Sequence, residues 1–180
     1  VWQSWAQVER RLTALGSALS SLGICRGDMV GLDAATCADW VVCEQACNAY
    51  SLVAVPLYDT LGNDSVEFIL QQTEMKVMFV ASDKMAGAVE ASASVPSLQL
   101  LVEMDGCTNI GAPVSSIPAA ALAEAQAWCE GGLQRPMQGP LVVKMSTLEQ
   151  LGCAKPLPHV PPKPSDVCTI CYTSGTTGVP

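Results

Sequence analysis

Apolar side chains recur at Trp5, Val8, Leu12, Leu15, Leu19 and Leu22, in alternating steps of three and four. That spacing places them on one face of a helix over residues 3–22. Ser4 is positioned to cap its start and Gly23 to end it. The stripe also fits a coiled-coil seam, but three heptads are a minimum, and Gly16 and several serines weaken it. Packing against a sheet is the expectation. Past Gly23 the pattern changes. Met29–Asp33 is a short apolar run behind a Gly27-Asp28 turn, and residues 38–50 predict a mostly buried helix. Leu52–Leu57 predicts a strand. Asp64–Thr73 predicts a helix with Asn63 near its cap. Lys76–Ala81 is a continuous apolar strand, 83–92 an alanine-rich helix capped by Ser82, and Leu98–Val102 another strand.

Strands that are apolar on both faces and alternate with helices are the mark of βαβ units. Right-handed crossovers then give a doubly wound, mostly parallel sheet with helices on both faces, an α/β fold. From 103 to 140 the pattern breaks into Gly, Pro, Ser and Ala, with a short helical stretch at 117–129. A segment of that length without regular pattern is expected to be an insertion or mobile loop on the surface. Leu141–Lys144 resumes a strand, and Ser146–Leu151 a short helix with Ser146 as cap. Residues 154–165 hold five prolines around His159, which predicts an extended crossing segment. His159, the only histidine, is expected to be exposed and chemically idle.

Composition narrows the picture. The chain has 180 residues, 49% of them apolar, which fits one globular domain or a piece of one. Its net charge is −8 and its few basic residues are not clustered. Nucleic-acid binding, which needs clustered Lys and Arg, is therefore not expected. No apolar run is long enough to cross a bilayer. Glu9, Arg10 and Arg11 interrupt any signal-peptide core, so secretion is not expected either. Nine cysteines form no obvious disulfide framework. Cys168 and Cys171 make a CxxC, but in a strand such thiols point to opposite sides. Cys43 and Cys47 share a helix face, yet no second ligand pair stands at zinc spacing. The expectation is small buried hydrophobes in a reducing compartment. Trp2, Trp5, Trp40 and Trp128 are likewise expected to pack.

The last nine residues read YTSGTTGVP, directly behind the apolar run Val167–Cys171. Glycines let a backbone approach an anion and aim N–H groups at it, and the hydroxyls of Thr173, Ser174, Thr176 and Thr177 add donors. Gly175 and Gly178 stand too close for a Walker loop, and no lysine follows. Composition alone would also allow a flexible Ser/Thr/Gly-rich terminus. The order of residues resembles the phosphate-binding signature of the AMP-forming adenylating enzymes. These are the acyl-CoA synthetases, luciferases and peptide-synthetase adenylation domains. Val55–Gly62, VPLYDTLG, is similar to a segment of the long-chain fatty-acid–CoA ligase branch. Further similarity lies at Trp5, at Gly23–Gly31 (GICRGDMVG) and at Asp39-Trp40. It covers about 1–102 and 141–180. The family commonly has Asn ahead of the acidic-Trp pair; Thr36 stands nearby here, which bears on a local turn contact.

The resemblance implies part of an N-terminal adenylate-forming (AMP-binding) domain over 1–180, with 103–140 inserted in it. The signature usually continues with Lys-Gly, so the chain is expected to be a piece of a longer protein and inactive alone. The implied reaction uses ATP with Mg2+ to convert a fatty acid to an acyl-adenylate, then transfers the acyl group to CoA. Thr173, Ser174, Gly175, Thr176, Thr177 and Gly178 would hold the phosphates. No catalytic side chain and no metal ligand is assigned within the chain. VPLYDTLG, with Asp59 and Thr60 in a turn, is read as structural. An adenylating enzyme for another carboxylate and a non-catalytic α/β nucleotide-binding module remain open. A cytoplasmic location or the cytosolic face of an organelle membrane is expected. Peripheral membrane association would suit a lipid substrate, although no basic amphipathic helix supports it.

Overall fold

The computed structural model describes residues 2–58, 63–106 and 139–173. Among them, five parallel strands are β1 (Met29–Asp33), β2 (Val53–Pro56), β3 (Val77–Ala81), β4 (Leu100–Met104) and β5 (Leu141–Lys144). Their spatial order is β2-β1-β3-β4-β5. Every neighbouring pair is parallel, with Val30 opposite both Ala54 and Val77. The helices are α1 (Trp5–Ser21), α2 (Ala38–Ala49), α3 (Asn63–Thr73), α4 (Met85–Ser92) and α5 (Met145–Ala154).

Side chains of one strand alternate between two cores. Val77 and Phe79 join Val30, Leu32, Leu100 and Val102 beneath α1, α2 and α5. Met78 and Val80 join Val55 and Leu101 beneath α3 and α4. Burial on both faces is why the strands read as unbroken apolar runs. The doubly wound architecture expected from the sequence is the one observed.

α1 begins and ends on local signals. The Ser4 hydroxyl accepts from the Gln7 amide at 3.3 Å, and the Gln7 side chain accepts from the Ser4 amide at 2.7 Å, a reciprocal capping box. At the other end Gly23 takes φ +85°, and Ile24 N–H reaches back to the Leu19 carbonyl. That closes the last turn and folds Ile24 onto Leu19 in the core. The stripe is buried only in its second half. Leu15, Leu19 and Leu22 are covered, whereas Trp5 is 87% exposed and Trp2 99% exposed. The expectation that these two tryptophans pack is therefore corrected. Trp40 is half-buried against the first core, and Trp128 lies outside the described residues.

α1 packs against α2 and α5 as well as the sheet core. Two glycines allow this approach. A Cβ on Gly16 would fall inside the Tyr50 ring, and one on Gly152 would fall inside the Ala14 carbonyl. Between these contacts lies a buried charge. Arg11, 3% exposed, gives Nη2 to Asp39 at 2.7 Å and Nε to Glu149 at 2.9 Å. The second Asp39 oxygen accepts from Gly106 N–H at 3.0 Å. Burial works against the Arg11 charge, but Glu149 and Asp39 outweigh it and hold the guanidinium above its ordinary value. Burial raises Glu149; Arg11 opposes that rise, and Asp39 and Asp105 add to it.

Several local expectations shift. Ser82 lies in a 3-10 turn (Ser82–Lys84) and donates to the Met104 carbonyl, so it does not cap α4, which begins at Met85. Ser146 does not cap α5 either. Its hydroxyl donates to Asp105, and that carboxylate also accepts the Ser146 amide. The cap of α2 is Cys37, whose Sγ accepts from Trp40 N–H at 3.5 Å. Glu103 and Met104 belong to β4, which corrects the expectation that the patternless stretch starts at 103. Residues 107–138 lie outside the described ones.

Gly152→Ala is expected to destabilise the protein by about 3 kcal/mol or more, because α1 and α5 must separate. Gly87→Ala, on the open side of α4 where an added Cβ meets nothing, is expected to stabilise by roughly 0.5 kcal/mol. Urea unfolding of both variants is the check. The raised Glu149 carboxyl gives a second expectation. A group that binds its proton more tightly when folded contributes stability that is complete below its ordinary value of 4.5 and is lost as pH rises through its folded value. The stability of the wild type relative to Glu149→Gln should therefore fall as pH is raised from below 4.5 toward neutral.

Candidate functional site

In open parallel sheets, ligands bind beyond the carboxyl ends of the strands, where helix N-termini point. Two places on this edge are candidates. One is the crevice between β1 and β3, where the strand order reverses. There Asp33, the last residue of β1, accepts from Lys84 Nζ at 2.7 Å, so an ion pair lies across the crevice. The other is the outer side of β2, where the run leading to the Ser/Thr/Gly loop arrives.

That run docks as a short extra strand. Thr169 pairs with Ala54 in parallel. Ala54 N–H donates to the Cys168 carbonyl and Ile170 N–H to the Ala54 carbonyl, both at 3.0 Å. The Thr169 hydroxyl adds a third bond to the Ala54 carbonyl at 2.9 Å. The strand expected over Val167–Cys171 is thus reduced to one bridge. Beyond it the chain heads toward the carboxyl end of β2. Ile170 and Tyr172 pack against the second core, and Tyr172 Oη donates to Gln72 on α3 at 2.7 Å. Tyr58, just past β2, meets the Cys171 sulfur at 3.9 Å. Its hydroxyl is held above its ordinary value, first by that contact and then by burial.

Thr173 is exposed at the end of this run. Ser174, Gly175, Thr176, Thr177 and Gly178 lie outside the described residues, as do Asp59, Thr60 and Gly62 of VPLYDTLG. Val55 and Leu57 of that segment are buried, in keeping with a structural role. Among the described residues no group of three His, Cys, Asp or Glu side chains could hold a metal ion.

The cysteines divide. Cys43 and Cys47 are buried on one face of α2 as expected, and Cys43 lies 3.9 Å from the Met145 sulfur. Burial pushes the Cys43 thiol well up and that of Cys47 to about 12. Cys25, Cys37, Cys153, Cys168 and Cys171 are exposed, against the expectation of buried hydrophobes.

The segment between α5 and the loop, expected to be extended, has neither helix nor strand up to Lys163 and then turns over Lys163–Asp166, and its contacts were not legible in the sequence. Tyr50 Oη donates to the Leu157 carbonyl at 2.8 Å, while Leu157 N–H donates to Ser17 Oγ at 2.9 Å. His159 is exposed as expected, yet its Nε2 lies 2.8 Å from Thr13 Oγ1 and its ring stands edge-on to Tyr50.

The profile of the family described as AMP-binding enzyme matches residues 1–180. The chain is 35% identical over 179 residues to the peroxisomal long chain acyl-CoA synthetase 6 of Arabidopsis thaliana, covering 99% of this chain and 23% of that protein. It is 34% identical over 184 residues to long-chain-fatty-acid–CoA ligase 1 of Homo sapiens, covering 99% of this chain and 24% of that one. The chain therefore spans about a quarter of the length of these relatives. Its fold is similar to that of the adenylation domain of a carboxylate reductase from Mycobacterium chelonae. There the TM-score is 0.75 at 24% identity, covering 99% of this chain and 27% of that one.

A short maleimide pulse on the folded protein should label Cys168 and Cys171 and leave Cys43 and Cys47 unlabelled until denaturant is added. Peptide mass spectrometry reads this directly, and early labelling of Cys43 would contradict the packing of α2.

Proposed function

Because the chain belongs to the AMP-binding enzyme family, we propose that it carries the phosphate-loop portion of an AMP-forming long-chain fatty-acid–CoA ligase. The observation that carries the reading is YTSGTTGVP at the end of a run docked beside β2 and heading for the carboxyl edge of a parallel sheet. VPLYDTLG and the identity to long-chain acyl-CoA synthetases support the substrate class.

In the proposed reaction the fatty-acid carboxylate attacks the α-phosphorus of ATP, forming an acyl-adenylate and releasing pyrophosphate. The CoA thiolate then attacks the acyl carbonyl and AMP leaves, giving the thioester. No covalent enzyme nucleophile is required. The protein brings two anions together and stabilises charge that grows on phosphate oxygens. Thr173, Ser174, Thr176 and Thr177 donate hydroxyls to the β- and γ-phosphates, and Gly175 and Gly178 let backbone N–H groups close on them. Magnesium would share that charge when bound; no residue of this chain is assigned to it. Residues 105–140, after β4, are proposed as a surface insertion in this domain. A cytosolic or organelle-associated location, with peripheral contact to membranes, fits a lipid substrate. Among the described residues no helix is long and apolar enough to span one.

The test is pyrophosphate exchange into ATP by the natural-length protein. Exchange should depend on a long-chain fatty acid, and CoA should convert the adenylate to thioester. Thr176→Ala is expected to slow exchange on the order of a hundredfold, the usual cost of one donor to a developing oxyanion. Exchange with short or aromatic carboxylates but not fatty acids would move the reading to another adenylating enzyme. No exchange with any carboxylate would leave a nucleotide-binding module.

A further inference from the structure

The backbone of the run that ends in the loop pairs with the sheet at a single residue. Ala54 supplies both of its backbone ladder bonds. One bridge is a weak determinant of register, and a parallel strand that slips by two residues keeps the same side chains on the same faces. A slip of that size would move Thr173 and the loop by about 7 Å along β2. Register must therefore be set by contacts on either side of the bridge.

Upstream, the chain is fastened at intervals. Val160 N–H donates to the Ala49 carbonyl at 2.9 Å, and Ser51 Oγ donates to the Val160 carbonyl. Five residues from α5 to Asp166 are prolines, which shorten the list of conformations this tether can take. Its last fastening is Arg26, in the turn before β1. Arg26 Nη1 donates to Asp166 Oδ2 at 2.9 Å, and Nη2 donates to the Pro161 carbonyl at 2.8 Å. The same Asp166 oxygen accepts Lys163 N–H at 2.8 Å, and Asp166 N–H returns to the Lys163 carbonyl at 2.9 Å. One guanidinium thus holds the chain at Pro161, two residues before this turn, and at Asp166, its last residue, three residues before Thr169.

The turn bearing Arg26 is itself fixed to the sheet. Gly27 takes φ +83° and donates its N–H to the Ser51 carbonyl at 2.8 Å. Asp28, at the foot of β1, accepts from Cys25 N–H at 2.8 Å and from Lys76 at 2.9 Å. Arg26 therefore refers the incoming run to the amino ends of β1 and β3.

We infer that Arg26 is a positioning residue: its grip on Pro161 and Asp166 sets the register of 167–173 along β2, and with it the point from which the proposed phosphate loop departs. This rests on the proposed role of the loop, but the register lock can be measured without it. The pair is partly exposed, so its removal should leave the melting temperature nearly unchanged.

The experiment compares wild type with Arg26→Met, Asp166→Asn and the double variant, all at natural length. Hydrogen exchange is read at Ile170, whose N–H bonds Ala54, and ATP binding and the kinetics of pyrophosphate exchange are read alongside. Arg26→Met should speed exchange at Ile170 at least tenfold and raise the KM for ATP about tenfold, with kcat and the KM for fatty acid nearly unchanged. Asp166→Asn should produce the same pattern, and the double variant should be no worse than the worse single one. Unchanged exchange at Ile170 overturns the lock whatever the kinetics do. Faster exchange with unaltered ATP affinity overturns the positioning role. A wild type that neither binds nor turns over ATP refutes the function proposed for the loop, and the exchange at Ile170 still decides the lock.

Discussion

The helix layer over one face of the sheet depends on a buried charge triad, Arg11 with Asp39 and Glu149. Arg11 joins α1 to the N-terminus of α2 through Asp39 and to α5 through Glu149, across sequence separations of 28 and 138 residues. Removing one partner of a buried ion pair commonly costs about 3–5 kcal/mol, because the other charge is left in a poor solvent. Two carboxylates share this guanidinium, so either alone would be inadequately matched if it left. The other Asp39 oxygen holds Gly106, and Asp105 beside it holds the start of α5. Charge, cap and chain path are thus set together at one end of the domain. The glycine contacts at Gly16 and Gly152 bring the helices close enough for the triad to form.

The consequence for the site is geometric. α1 and α2 present Thr13, Ser17 and Tyr50 as a ledge. The segment from α5 rests on that ledge before it passes Arg26 and joins β2. The course of residues 167–173 is therefore inherited from the helix layer through a hydrogen-bonded tether. The role proposed for the loop that follows is electrostatic, so the placement of this run bears on it.

Much of the fold was legible because its signals are local. The capping box at Ser4, the positive-φ glycine at Gly23 and the two-sided apolar strands each declare themselves within a few residues. What failed was decided by distant partners. Ser82 and Ser146 have the chemistry of caps, but Met104 and Asp105, brought over by the sheet, claim their hydroxyls. Trp5 keeps the helical period of its stripe, yet the neighbouring helices cover only the later turns. Arg11 sits beside Leu12 as an ordinary surface charge would, and nothing near it announces Asp39 and Glu149. The motif at the carboxyl terminus of the chain was legible by residue order, not by pattern. The single-bridge docking of Thr169 on Ala54 and the ion pair across the β1–β3 crevice were invisible, since both depend on strand order.

We propose that ATP phosphates are held beside β2 by the loop that follows Tyr172, not in the crevice between β1 and β3. An ATP analogue with a photoreactive group on its γ-phosphate tests this most directly. After irradiation of the natural-length protein, the peptide containing residues 173–178 should carry the label, and excess ATP should prevent it. Label at the Asp33–Lys84 crevice, with the loop peptide unmodified, would contradict the account.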